Sequence, residues 1–199
     1  MIASKKRDLK MALVVFAGCL VGGTPALAGE TESREAEARK AVKALMSELS
    51  GELKAAMKEG GPSAGIGVCV ERAPEITGRL SREKGWRVTR VSDQVRNPLL
   101  GMPDAWEQET LQRFRGRHAD GASYKGMSRG EVVAEPGGKS FRYMQAIPQK
   151  GVCMSCHGDK EALSPAVREK LAERYPHDRA TGYEVGDLRG AFSIKQPLE

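Results

Sequence analysis

Apolar residues recur along this chain with two different periods, and the switches between them divide it into elements. From Glu30 to Glu59 there is no Pro and a single Gly, Gly51. Val42, Met46, Leu49, Leu53 and Ala56 follow one another at steps of four and three, one stripe on a long helix. Such a helix would run about 45 Å. Two readings stand for it: packing on its own domain, or a seam with a second copy, for which two heptads alone are too few. Gly60-Gly61-Pro62 predicts its end. Gly65-Ile66-Gly67-Val68-Cys69-Val70 reads as a strand. Trp86 to Val91 reads as a second, with Trp86, Val88 and Arg90 on one face. Pro103 to Arg115 predicts a helix, with Pro in its first turn, Asp104 and Glu107 at its start, Arg113 and Arg115 at its end and Gly116 beyond. Residues 116–129 read as loop.

Glu131 to Glu135 and Ser140 to Ile147 predict a hairpin joined through Pro136-Gly137-Gly138. Ser164 can cap a helix that has Pro165 at its first position, with Val167, Leu171 and Tyr175 on one face and Pro176 as its stop. Leu188, Gly190, Phe192 and Ile194 alternate with Arg189, Ala191, Ser193 and Lys195, the pattern of a half-buried last strand. No internal repeat interrupts this order. Helix, two strands, helix, two strands, helix and strand make an α+β protein.

The N-terminus changes how the rest is counted. Lys5, Lys6, Arg7 and Lys10 precede an apolar run from Met11 to Val21, and Ala26-Leu27-Ala28 has the small-x-small form of a cleavage site. Residues 1–28 therefore read as an export signal cut after Ala28. The run is too short for an ordinary membrane span. A retained anchor is one rival, and lipidation at Cys19, within Phe16-Ala17-Gly18-Cys19, is another. The expected division is 1–28 signal, 29–61 N-terminal helix and 62–199 the remaining domain. The whole chain has 32 basic and 26 acidic residues. Residues 1–28 hold four and one of these, so the rest carries 28 minus 25, or +3. The basic balance lies mostly in the leader, and nucleic-acid binding is not implied.

Cys153-Met154-Ser155-Cys156-His157 carries the chemistry. Cys-x-x-Cys-His is the attachment sequence of a c-type haem. Two thiols at this spacing add to the two haem vinyl groups, and the following imidazole supplies a proximal ligand to iron. The motif occurs once, so one covalent haem c per chain is expected. A zinc site of Cys69, Cys153, Cys156 and a His is an alternative, as is a dithiol redox pair. In ordinary class I cytochromes c the motif lies near the start of a small helical domain; here it lies late in an α+β pattern. After processing, Cys69 is the one thiol outside the motif, which an oxidising compartment makes conspicuous.

Several segments together resemble a family of bacterial and cyanobacterial haem c proteins with a PAS-like sensor fold, long filed as a domain of unknown function. They are Ile66–Cys69, Arg90–Ser92, Arg96–Pro98, Pro103–Glu107, Phe141–Tyr143, Cys153–Gly158, Tyr175–Tyr183 and Gly186–Ala191. Leu99-Leu100 departs from the pattern, which has a second Asn after Arg-Asn-Pro. The resemblance implies a PAS-like antiparallel sheet flanked by helices. It also implies that Cys69, on the first strand, can be the distal iron ligand opposite His157. Read alone, Cys69 is a small buried hydrophobe. Arg96 has two readings, a capped turn before Pro98 or a contact to a haem propionate through its planar fork. His118 and His177 read as surface residues. With Met127 and Met144 they are the rival ligands to Cys69.

Three functions follow. The first is an exported, periplasmic, redox- or gas-responsive haem domain read by a separate signalling protein, with the long helix a surface for a partner or a second copy. The second is a soluble electron-transfer cytochrome c serving a redox partner. The third is a peroxidase-like enzyme, for which His118 and His177 are the only acid/base candidates; no catalytic residue is assigned.

Overall fold

The computed structural model describes residues 25–198. Residues 1–24, with Cys19 and most of the expected export signal, lie outside the described residues.

Helix α1 (Pro25–Gly67) is broken at Gly60 (φ −130°) and Gly61 (φ 70°), where the sequence predicts a stop. Pro62 then starts a second short helical stretch, a position at which its missing N–H is harmless. The chain passes through one π-helical turn, Val68–Arg72, into α2 (Ala73–Lys84). Residues 65–70 are therefore helical, not the first strand. β-branched residues favour a strand only where a sheet offers them a place, and here tertiary packing decides otherwise. A Cβ on Gly65 would lie 2.9 Å from Leu53 Cδ1 and 3.0 Å from Met57 Cγ, so glycine lets this stretch fold back on α1. Ile66 and Val70 in turn pack on the last helix. Helix α2 has no counterpart in the sequence reading.

Four strands form one antiparallel sheet in the order β1-β4-β3-β2: β1 (Arg87–Val91), β2 (Ser128–Glu135), β3 (Gly138–Pro148) and β4 (Leu188–Leu198). The hairpin and the last strand are where the pattern puts them. Residues 190–194 of β4 are buried on both faces rather than one, because helices cover the sheet from both sides. α1 and α2 cover one face through Ala38, Ala41, Val42, Leu45, Leu49, Ile76 and Leu80, packed on Val88, Phe141, Tyr143, Phe192 and Ile194. Val42 and Leu49 of the expected stripe are buried there; Met46 is not, being 40% exposed, and Leu45 takes the inside place beside it.

The other face carries α4 (Ala105–Ala119), reached through the one-turn α3 (Pro98–Gly101). Leu111 and Phe114 of α4 pack on Val91, Met144 and Ala191. Asp104 and Glu107 close a reciprocal capping box, with Pro103 just ahead of the cap. The helix does not stop before Gly116 but runs to Ala119. There His118 stacks on Tyr124 at 4.1 Å, and its Nδ1 bonds the Ala122 carbonyl at 2.8 Å, closing the end. A short α5 (Met154–His157) and α6 (Pro165–Arg174), capped by Ser164 as expected, complete the chain. The fold is α+β, a long N-terminal helix on an antiparallel sheet.

Candidate functional site

A cleft opens where the kink of α1, the π-turn, the ends of β1 and β4 and helix α5 meet. It encloses 1410 Å³, part of it open to solvent. Cys69, Cys153, Cys156 and His157 all line it, between apolar walls that include Leu49, Leu53, Ile66, Val91, Val95 and Ile147.

The motif is compact because a 3-10 turn, Gly151–Cys153, feeds directly into α5, so both thiols and the imidazole share about two turns. Residues 175–183 strap it down. Gly182 N donates to Gly158 O at 2.8 Å and Tyr183 N to His157 O at 3.1 Å. His157 Nδ1 lies 2.7 Å from the Ala180 carbonyl. A carbonyl only accepts, so Nδ1 carries the proton and Nε2 keeps its lone pair, the tautomer a metal ligand needs. Burial, and then the charges of Arg189 and Arg96, hold His157 well below the ordinary imidazole pKa. The ring is therefore neutral at pH 7.

Arg96, 9% exposed, is the brace of this arrangement. Its Nη2 donates to Cys156 O at 2.6 Å and to Ala180 O at 3.1 Å, and its Nε pairs with Asp178 at 3.1 Å. Asp178 in turn accepts from Ala180 N at 2.7 Å. The guanidinium offered by the sequence as a propionate contact is thus engaged with the backbone of the motif and of its strap. Cys156 lies 3.8 Å from the Pro62 carbonyl, which ties the motif to the kink of α1. Burial pushes its thiol up; Arg96 opposes this, and Cys69 and Cys153 add to it.

Of the sulfur and histidine rivals, Cys69 alone reaches the cleft. Met127 and Met144 are buried in the core beneath α4, His118 is stacked on Tyr124, and His177 is an exposed turn residue. Cys69 gets there from the π-turn, not from a strand. The three cysteines among the described residues, Cys69, Cys153 and Cys156, are free. Among the described residues no three His, Cys, Asp or Glu are gathered to hold a metal ion, as the zinc alternative would need.

Four lining residues carry no signal as ligands or contacts in the sequence: Met57, Arg90, Gln149 and Arg189. Arg90 and Arg189 stand in segments that carry the family resemblance, which was the one available hint. Met57 packs over Gly65, with its sulfur 3.7 Å from where a Cβ would be. Paired thiols, an imidazole with a free Nε2, a third thiol in the same cleft and apolar walls fit a covalently held haem.

The sequence model of the Tll0287-like family matches residues 27–197. Among solved structures, the crystal structure of the cyanobacterial heme-protein Tll0287 matches with a TM-score of 0.62 at 24% identity, covering 89% of this chain and 98% of that one. No curated protein matches the chain.

Proposed function

This chain belongs to the Tll0287-like family, and from that premise we propose that it is an exported, periplasmic protein with one covalent haem c and a redox-responsive role. The carrying observation is the shared cleft: Cys69 faces it together with Cys153, Cys156 and His157, while His118, His177, Met127 and Met144 do not. The fold likeness to a protein whose own description is a heme-protein supports the reading.

Cys153 and Cys156 form the thioether bonds. His157 binds iron through Nε2 and is aimed by the Ala180 carbonyl, and Arg96 with Asp178 keeps that carbonyl in place. Cys69 would be the second protein ligand to the iron. Bound there, the haem supplies a one-electron centre. An anionic sulfur favours the ferric state. Cys69 would hold the iron as a thiolate, and its exchange between thiolate and thiol, with the proton drawn from water, would couple the redox state of the haem to the π-turn that carries it. That turn joins α1 to α2, so the long helix is the surface on which a signalling partner or a second copy would read the change.

Matured with haem c, the protein should keep its colour through acid–acetone extraction, and the exported form should begin at Gly29. A start at a lipid-bearing Cys19 would make it membrane-anchored. Cys69→Ala should change the ferric EPR spectrum and raise the potential; an unchanged spectrum would turn attention to Met57. Carbon monoxide should bind the reduced protein rapidly and displace Cys69. Fast electron self-exchange with both ligands retained in both oxidation states would establish an electron carrier instead.

A further inference from the structure

Two polar side chains of the cleft are left without protein partners. Gln149 is 2% exposed, yet neither Oε1 nor Nε2 has a hydrogen-bond partner. A buried amide in that state is costly and points to a ligand that satisfies it. Its backbone is fixed, with N donating to Asp187 O at 2.8 Å and O accepting from Gly186 N at 3.0 Å, so the side chain is held at the cleft wall.

Arg90 is the second. Three guanidiniums line the cleft. Arg96 is occupied as described, and Arg189 donates to Gln94 O at 3.3 Å and lies 5.4 Å from the centre of the Tyr183 ring. Arg90 has no hydrogen bond or ion pair with a described residue. It follows Val88 on the α1-facing side of β1, where its neighbour across the strand pair is Phe192. Gln149 lies two residues beyond Ile147, the partner of Gly190 across β3 and β4. Arg90 and Gln149 thus stand on opposite sides of β4, Arg90 beside Phe192 and Gln149 beside Asp187, so that two strand spacings across the sheet and about 16 Å along it separate their backbones, a gap that both side chains reach into. Gly190, with no side chain, lies between them.

We propose that Arg90 and Gln149 form a carboxylate clamp that receives the two propionates of the haem assigned above, on which reading the clamp depends. Arg90 offers charge and a planar fork of donors, and Gln149 offers Nε2 hydrogens, with Oε1 accepting from water that enters with the carboxylates. Because Cys153 and Cys156 hold the ring covalently, loss of the clamp leaves the haem in place and changes only how its propionates are held.

The test compares holoprotein from wild type, Arg90→Gln and Gln149→Leu by resonance Raman spectroscopy of the propionate bending mode, whose frequency rises with hydrogen bonding. The mode should fall in both variants while covalent haem content stays within about twofold of wild type. The reduction potential should also drop in Arg90→Gln, since a cation opposing the ferric charge is gone. Gln149→Met, near in length and without amide hydrogens, replaces Gln149→Leu if that variant fails to mature. An unchanged mode in either haem-bearing variant overturns the clamp. So does an acetate-dependent shift in wild type, which would mark a site for free carboxylates. No covalent haem in wild type overturns the haem reading itself, and the clamp with it.

Discussion

The two faces of the sheet bury polar groups in opposite ways. Beneath α4 the groups satisfy one another. Glu107, 1% exposed, accepts from Ser193 Oγ at 2.6 Å and from Asp104 N at 2.8 Å, and lies 3.3 Å from Arg142. Arg142 also pairs with Asp104 at 2.7 Å and Glu135 at 3.3 Å and lies 4.7 Å from the Trp106 ring centre, with only its Nε unmatched. On the α1 face, around the cleft, Arg90, Gln149 and His157 Nε2 keep donors and a lone pair for something else. Closed polarity holds a fold together. Open polarity on the walls of a cleft, with Gln149 buried and Arg90 and His157 half-buried, marks where a ligand belongs.

The contrast breaks most sharply at the thiols. Replacing Cys153 and Cys156 together with Ala should abolish covalent haem while leaving the far-ultraviolet circular dichroism of the sheet and helices intact. Pigment that survives acid–acetone extraction in this variant would refute the assignment. On the closed face, Glu107→Ala should cost about 3–5 kcal/mol, the usual penalty for orphaning one partner of a buried ion pair. Denaturant unfolding measures it, and a loss below about 1 kcal/mol would mean the network is not cooperative.

Asp178→Ala tests the border between the two regimes, because Asp178 pairs with buried Arg96 yet serves the motif. It should cost about 2 kcal/mol and also perturb the haem absorption spectrum, as the Ala180 carbonyl loses its support. A stability loss with an unchanged spectrum would make the pair purely structural.

Acid also loosens the closed face. Burial raises the Glu135 carboxyl, but hydrogen bonds from Lys195 and Ser140 and the charges of Lys195 and Arg142 outweigh it, so its pKa lies below the ordinary value. Asp104 is likewise lowered: burial raises it, and Arg142 and the Glu107 amide more than offset this. A depressed carboxylate contributes stability above its unfolded pKa, near 4, that is lost as pH falls through the folded value. Thermal midpoints measured from pH 6 to pH 3 should fall less steeply in Glu135→Gln than in wild type. The smallest effect belongs outside both regimes: Leu99, 94% exposed, should tolerate Ser within about 0.5 kcal/mol of unfolding free energy.

Local chemistry explains which parts were legible from sequence. Spacing alone identified the Cys153–His157 motif, because thioether formation and ligation demand it. Ser164-Pro165, the acidic start of α4 at Asp104 and Glu107 and the hairpin at Pro136-Gly137-Gly138 were legible because caps and turns are decided by neighbours in the chain, although the helix begins after Pro103 rather than with it. Residues 65–70 were not, since their helix depends on Leu53 and Met57 meeting Gly65. Nor was the full width of the buried face of α1: Val42 and Leu49 lie inside as the stripe predicts, but Ala38 and Ala41 bring the helix onto the sheet and Leu45, not Met46, joins them. Arg96 was singled out as part of a capped turn or as a propionate contact, and its partners Asp178, Cys156 and Ala180 lie far off in sequence. Gln149 had no signature at all; an amide in a connecting segment becomes informative only when its burial and lack of partners are known.

The π-turn at Val68–Arg72 closes with the Ala73 N–H on the Val68 carbonyl, five residues back, where an α-helix would use four. It is equivalent to a helix with one residue inserted. Removing a single codon between 68 and 72 would restore α geometry and rotate everything beyond it by about 100° relative to α1. Ile76 and Leu80 would then have to leave the core, or Cys69 would have to turn out of the cleft. The place of this sulfur is therefore written in the length of the chain as much as in the identity of any residue, and insertion or deletion is the mutational route by which a descendant would gain or lose it.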